Sequence, residues 1–296
     1  MGKSLEIGFI NNPILYYCLS FGQLLANIIA RNTTSNVQLK ARISNTFTGS
    51  SILKMVVVVQ LLFAYYAQAQ ENETKRFLDD FKGTASVTNN GISLIPSFSL
   101  GDPALIFDLK FKKGNFSFEP DMRFALEGKP WTFIFWFRQQ LVQKEKFTLR
   151  VGAHPAINFR TISIMRNGQA EDILEARRYL AAEVVPNFNV TENISVGAYY
   201  LHGRGFDDGV KQTNFIVLTS TFKNLYFTEK YYLNITPQAY YLATDDIDGM
   251  YVAGFITLAK KDFPISISSI LNKALDTEIV PEDDFTWNIS LVYSFP

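Results

Sequence analysis

Between residues 91 and 296 apolar and polar side chains alternate, run after run, with a period of two. That period belongs to β-strands, whose successive side chains point to opposite faces. In 104–112, Leu105, Phe107, Leu109 and Phe111 oppose Asp108, Lys110 and Lys112. Next, Phe116, Phe118, Met122, Phe124 and Leu126 oppose Ser117, Glu119, Asp121, Arg123 and Glu127, and 147–160 sets Phe147, Leu149, Val151, Ile157 and Phe159 against Thr148, Arg150, His154, Asn158 and Arg160. Strands of soluble sandwiches average about five or six residues. These runs reach about ten to thirteen, the length that crosses a bilayer at a tilt.

Twelve such runs can be traced, near 91–100, 104–112, 115–126, 130–141, 147–160, 176–189, 193–203, 212–223, 230–242, 249–260, 263–273 and 285–295. An even number suits a closed antiparallel barrel with both chain ends on one side. The fold class expected is therefore all-β, a closed transmembrane β-barrel of about 12 strands with short periplasmic turns and longer external loops. The connections KKGN, LVQKEK, VTEN, 224–229 and KKDF are short, and 161–175, 204–211, 243–248 and 274–284 are long and fall on alternate connections, although GDP and EGK in that alternate set are short too, so the asymmetry is partial.

Composition agrees. Lys and Arg number 28 against 28 Asp and Glu, 15% of residues are aromatic, and there is a single cysteine. This argues against a disordered polymer, a disulfide scaffold and a basic nucleic-acid binder. Aromatic residues near run ends, among them Trp131, Phe147, Tyr200, Tyr231, Tyr241 and Trp287, fit a lipid-interface girdle.

Residues 55–69 read MVVVVQLLFAYYAQA, an apolar stretch that ends in an A-x-A cleavage pattern and so looks like a secretory signal peptide. The domain organisation expected is 1–54 as an over-extended or disordered N-terminal extension, 55–69 as signal peptide, 70–90 as a periplasmic segment and 91–296 as the barrel. Two stretches depart from alternation. Residues 169–183, QAEDILEARRYLAAE, carry strong helix formers and suggest a loop helix leading into strand six, and 73–82 suggest a brief amphipathic helix. Prolines at 96, 120, 155, 186 and 237 interrupt otherwise regular runs, and we expect bulges or bends there.

At this point the chain resembles the Gram-negative outer-membrane β-barrel proteins, in particular uncharacterised barrels of Bacteroidetes-type bacteria. The resemblance rests on the A-Q-A signal end, the alternating runs and the last strand, in which Phe285, Trp287, Ile289, Leu291, Tyr293 and Phe295 share one face. It implies a place in the bacterial outer membrane, contact with its lipid, and presentation of the C-terminal strand to the barrel-assembly machinery. It implies no particular task, because function lives in sites and not in folds.

No C-x-x-C, H-E-x-x-H, Walker or G-x-G-x-x-G pattern occurs, so neither cofactor nor metal is expected. TDDIDG at 244–249 contains three acids but reads best as a solvated turn. The two histidines, His154 and His202, have no serine at an obvious partnering position, which weighs against a lipid hydrolase. The polar faces carry the stronger signal. Glu119, Asp121, Arg123, Arg138, Arg150, His154, Arg160, Arg177 and Glu183 are expected along one wall of the lumen, with Glu119 beside Arg138, Arg138 beside Arg150, His154 beside Glu183 and Arg160 beside Arg177. Tyr232, Asn234 and Gln238 are expected on the opposite wall. The expected function is an outer-membrane channel, porin-like and not an enzyme, passing small polar solutes, with anions favoured by the excess of arginine. The alternatives are a non-conducting barrel that docks partners through external loops and, behind it, a membrane-embedded lipid hydrolase. Twelve strands lie between the filled eight-stranded and the open sixteen-stranded barrels, so size alone leaves the channel question open.

Overall fold

A computed structural model describes residues 77–296, apart from 167 and 280–283. The expected extension, signal peptide and first part of the 73–82 helix lie outside the described residues, and Phe77 onward shows no helix before the first strand. The strands are β1 (Asp80–Thr88), β2 (Ala104–Lys113), β3 (Phe116–Ala125), β4 (Pro130–Gln143), β5 (Phe147–Arg166), β6 (Gln169–Asn189), β7 (Ile194–Gly205), β8 (Gln212–Tyr226), β9 (Tyr231–Thr244), β10 (Ile247–Lys260), β11 (Ile265–Thr277), β12 (Phe285–Trp287) and β13 (Ser290–Phe295). From β1 to β12 each pairs antiparallel with its sequence neighbour, and β13 pairs with both β1 and β11. The sheet thus closes on itself. β12 and β13 together make one wall, interrupted at Asn288 and Ile289, so the closed barrel has twelve walls.

The twelve walls are not quite the twelve expected runs. The first wall is Asp80–Thr88, within the stretch assigned to a periplasmic segment, and 91–100 forms no strand. Pro96–Phe98 is instead a 3₁₀ turn inside a long β1–β2 connection. Alternation misled here because apolar residues can be buried by a loop folded inward as well as by lipid outside.

Residues 169–183 are also strand, not helix. β5 and β6 pair continuously from Phe147↔Phe188 to Arg166↔Gln169, so the expected long loop at 161–175 is a ribbon that continues beyond the neighbouring walls. Intrinsic helix propensity yields to tertiary pairing. The connection at 243–248 is likewise a tight turn, with Thr244 opposite Ile247 and Asp245 at φ 53.

The prolines leave the register unchanged. Pairing lapses beside Pro120 on the β2 side, Pro155 on the β4 side, Pro186 on the β7 side and Pro237 on the β8 side, while the other side of each stays paired. One missing N–H costs one side of the ladder. The register shifts lie elsewhere, at Arg123/Phe124, Gln140/Val142, Phe222/Leu225 and Met250/Tyr251.

The outward face is apolar. Phe116, Phe137, Leu141, Phe188, Val196, Leu218, Val252, Ile267 and Leu291 are all exposed on it. Across β1 to β4 a row of rings, Phe81–Phe111–Phe118–Phe137, runs with centroid spacings of 5.0, 6.1 and 5.0 Å. Trp131 is the exception among the expected girdle residues. It occupies the bulge opposite Arg123/Phe124, which turns its indole inward, where it is only 2% exposed.

Candidate functional site: the barrel lumen

Twelve inward-facing side chains were expected to line a lumen, and all twelve lie on the inward parity of their strands. Glu119, Asp121 and Arg123 come from β3, Arg138 from β4, Arg150, His154 and Arg160 from β5, Arg177 and Glu183 from β6, and Tyr232, Asn234 and Gln238 from β9. The detailed neighbours differ from expectation. Arg138 stands opposite Gly152, Arg150 opposite Gln140, His154 opposite Ala181, Arg177 opposite Asn158 and Arg160 opposite Glu175. In β4–β5 a later turn, partly offset by a bulge at Leu141, and in β5–β6 an earlier turn between Arg166 and Gln169, each move the register by two residues, which keeps every side chain on its face.

The consequence is a row across three strands in which the middle residue has no side chain. Arg138 on β4 and Glu183 on β6 meet over Gly152, with Arg138 Nε donating to Glu183 Oε1 at 2.8 Å and Nη2 to Oε2 at 3.3 Å. Arg138 Nη1 also donates to Glu119, and Arg150 Nε lies 3.2 Å from Glu183 Oε1. Lys110 Nζ reaches Glu119 at 2.6 Å, and Ser117 Oγ donates to the same carboxylate at 2.8 Å. Glu183 is 2% exposed and holds two guanidinium groups. Burying a carboxylate is tolerable only with such partners. The Arg138 guanidinium also lies 4.1 Å over the Trp136 ring, and His154 meets that ring edge-on.

The other arginines are engaged as well. Arg123 grips Asp121 through Nε at 2.8 Å and Nη2 at 2.5 Å, Arg177 Nε donates to Glu175 at 2.6 Å, and Arg160 Nη2 donates to the Ser97 carbonyl at 2.6 Å. Asp108 differs. It faces Asp121 directly across β2 and β3, accepts only the Thr84 hydroxyl at 3.4 Å, and has no ion-pair partner among the described residues. Like charges opposed on neighbouring strands are unfavourable. Together with Lys82, Lys110, Glu119 and Arg138, these carboxylates line a cavity of about 660 Å³ toward the end of the barrel where β1 begins and β13 ends.

Toward the other end the lumen is filled. Tyr240 (2% exposed), Tyr251 (1%) and Leu242 (0%) pack with Phe215, Val217 and Leu201. Tyr240 and Tyr251 stack at 4.8 Å, and Phe215 meets Tyr240 edge-on at 5.1 Å. Leu94 and Ile95, from the β1–β2 connection, pack against this cluster. The sequence signal that could have found the plugged end was Leu242, Tyr251 and Phe215, apolar residues on the face that β8 to β10 turn away from lipid.

His202 lies on the outward parity, its Nδ1 3.0 Å from Asn214 Oδ1, which also accepts the Tyr200 hydroxyl. Neither histidine has a serine partner among the described residues. The acidic turn at 245–246 is explained internally, because the Asp245 carboxylate accepts the Lys211 and Gln212 amides at 2.9 and 2.8 Å. No group of three His, Cys, Asp or Glu among the described residues is placed to hold a metal ion.

Comparison with protein-family models gives no match, and comparison with curated proteins gives none either. Solved structures do resemble the chain. The KdgM porin in complex with disordered oligogalacturonate aligns at 10% identity and a TM-score of 0.46, over 73% of this chain and 99% of that one. An outer membrane channel from Pseudomonas putida F1 aligns at 11% identity and 0.47, over 76% and 100%. The NanC porin aligns at 9% and 0.44, over 73% and 100%.

Proposed function

We propose that this chain is an outer-membrane barrel that passes small polar solutes through a mixed-charge lumen. The observation that carries the reading is the cavity of about 660 Å³ inside a closed barrel, lined by Lys82, Asp108, Lys110, Glu119, Asp121 and Arg138 while the outer face is apolar. A charged lining inside a lipid-facing wall is what a water-filled pore uses to select solutes. The outer-membrane location is supported by the apolar outer belt and the aromatic row across β1 to β4. The terminal strand, with Phe285, Trp287, Ile289 and Leu291 exposed on one face, suits recognition by the barrel-assembly machinery.

Arg123, Arg138, Arg150 and Arg177 pair with Asp121, Glu119, Glu183 and Glu175, but Lys110 shares Glu119 and Arg160 holds only the Ser97 carbonyl. On this wall six cations, Lys110, Arg123, Arg138, Arg150, Arg160 and Arg177, face five carboxylates, Asp108, Glu119, Asp121, Glu175 and Glu183, so the lumen leans toward anions. Single-channel currents and the reversal potential in a potassium chloride gradient test this. The expected result is discrete steps with an anion-leaning reversal potential that leans further toward anions in Asp108→Asn, whereas an unchanged potential overturns the role of Asp108.

A second reading is a non-conducting barrel that docks partners through its loops. Tyr240, Tyr251 and Leu242, almost fully buried in the lumen, favour it. A folded barrel with no conductance, and a partner lost on removal of the β5–β6 ribbon, would establish that reading.

A further inference from the structure

The β1–β2 connection, residues 89–103, does not lie over the rim as loops do. It closes on itself at a neck, where Gly91 N–H donates to the Asp102 carbonyl and Leu100 N–H to the Gly91 carbonyl, both at 2.8 Å. From this neck the segment folds into the lumen and touches walls that are far apart in the sheet order. Trp131 Nε1 on β4 donates to the Phe98 carbonyl at 2.9 Å, and Arg160 Nη2 on β5 to the Ser97 carbonyl at 2.6 Å. Tyr179 on β6 meets the Phe98 ring edge-on at 4.8 Å. The Tyr240 hydroxyl on β9 reaches the Leu94 carbonyl at 3.1 Å, and Asn288 Nδ2, between β12 and β13, the Asn90 carbonyl at 3.1 Å. The segment therefore spans the lumen.

The manner of attachment matters as much as the position. Within 92–99 the segment adds no strand to the sheet; its Leu94, Ser97 and Phe98 carbonyls accept from wall side chains, and those of Ser93, Ile95 and Pro96 accept from within the segment. Such bonds break one at a time, unlike a ladder, whose pairs break together. Gly101, at φ 78, lies at the return of the neck, where the chain turns back toward β2. Wall donors without the segment would face a lumen able to hydrate them, so withdrawal leaves no dry orphan groups.

We infer that residues 91–100 are a displaceable plug that closes the lumen toward the end where β1 ends and β2 begins, and opens it by withdrawing at the neck. This rests on the channel reading above. The plug is held by two side-chain donors, Trp131 and Arg160, and by the Tyr240 hydroxyl, whose one proton is shared with Asn272 Oδ1 at 2.8 Å, and each sets part of the closed population.

The test compares wild type with Trp131→Phe, Arg160→Ala and Tyr240→Phe, and with a variant in which 92–99 is replaced by a Gly-Ser stretch of equal length. Each is refolded in detergent, checked for β-sheet by circular dichroism and recorded in a planar bilayer. Losing one donor is expected to raise the open-to-closed ratio by about fivefold to tenfold, the effect of one net hydrogen bond, and the Gly-Ser variant is expected to stay open. Should the Gly-Ser variant fail to refold, the three point variants still decide. Currents that are the same in wild type and every variant overturn the plug and leave the channel reading standing. Folded but silent barrels throughout, the Gly-Ser variant included, overturn the channel reading and the plug with it.

Discussion

At Gly152 a Cβ would lie 3.0 Å from Arg138 Cγ and 3.0 Å from Glu183 Oε1, so the ion pair that crosses β5 exists because position 152 has no side chain. Gly152→Ala forces the pair apart or bends the strand, and we expect a loss of about 1–3 kcal/mol of stability, read as a lower urea midpoint in detergent. Gly203→Ala is the matched control, since a Cβ there meets Thr213 at 3.5 Å, an ordinary contact, and equal midpoints for the two variants would remove Gly152 from this role. The residues of the charged wall were legible in the sequence because parity survives a register error of two. The partners were not, because the bulge at Leu141 leaves no mark in the sequence and a glycine inside a strand signals only that something approaches closely. A second residue-scale expectation concerns the loop at 206–211. The Arg178 side chain and amide both donate to Asp207 and hold its carboxyl at about 2, below its ordinary value of 3.8. A depressed carboxyl stabilises the folded state fully above the unfolded value and loses that contribution as pH falls through the folded one. The attachment of the loop to β6 is therefore expected to persist at pH 4 and to fail near pH 2. Amide exchange at Arg178 followed over that range checks it, and in Asp207→Asn the protection should no longer change between the two pH values.

Among the elements, the β5–β6 ribbon is the one whose form was least readable. Helix formers dominate QAEDILEARRYLAAE, yet β5 supplies a complete set of backbone partners and the chain takes the sheet. Beyond Asn158 the ribbon no longer pairs with β4, and beyond Tyr179 it is clear of the β7 ladder, so its outer part stands on its own hydrogen bonds. A two-stranded ribbon is marginal by itself. Its return carries Gly168 at φ 76, a backbone region that costs other residues about 1–2 kcal/mol. Gly168→Val is accordingly expected to open the tip and speed tryptic cleavage at the exposed Arg166, with the urea midpoint of the barrel unchanged. A fall in the midpoint alongside faster cleavage would mean that ribbon and barrel unfold as one. The opposite error, reading 91–100 as a strand, has a related cause. Ile92, Leu94 and Phe98 carry the period of a wall, and only the absence of a pairing partner separates a plug from a strand, which a single run of sequence cannot express. β1 escaped notice for the complementary reason that DFKGTASVT presents small, weakly alternating side chains.

For the molecule as a whole, closure is the property on which everything else depends, and it was legible: long alternating runs in even number have few other ways to satisfy every backbone group in lipid. What could not be read was where the first and last walls meet. They meet between Gly83↔Phe295 and Thr88↔Ser290, and the fit is tight at one point, because a Cβ on Gly83 would lie 2.4 Å from Phe295 Cε2 and 2.8 Å from Leu109 Cδ2. Phe295 thus packs over a glycine at the seam. In a barrel any parted seam exposes two strand edges at once, and each unpaired group in hydrocarbon costs several kcal/mol. A lesion there should spread through the whole sheet, unlike one at the ribbon. Gly83→Val, which drives the Phe295 ring off the seam, is expected to lower the yield of refolded barrel steeply and as a single transition. Gly254→Val, at a position with open space around the missing side chain, is expected to refold like wild type. Equal yields from the two variants would show that closure does not depend on the Phe295 contact and that the backbone pairs from Thr84 to Thr88 hold the seam alone.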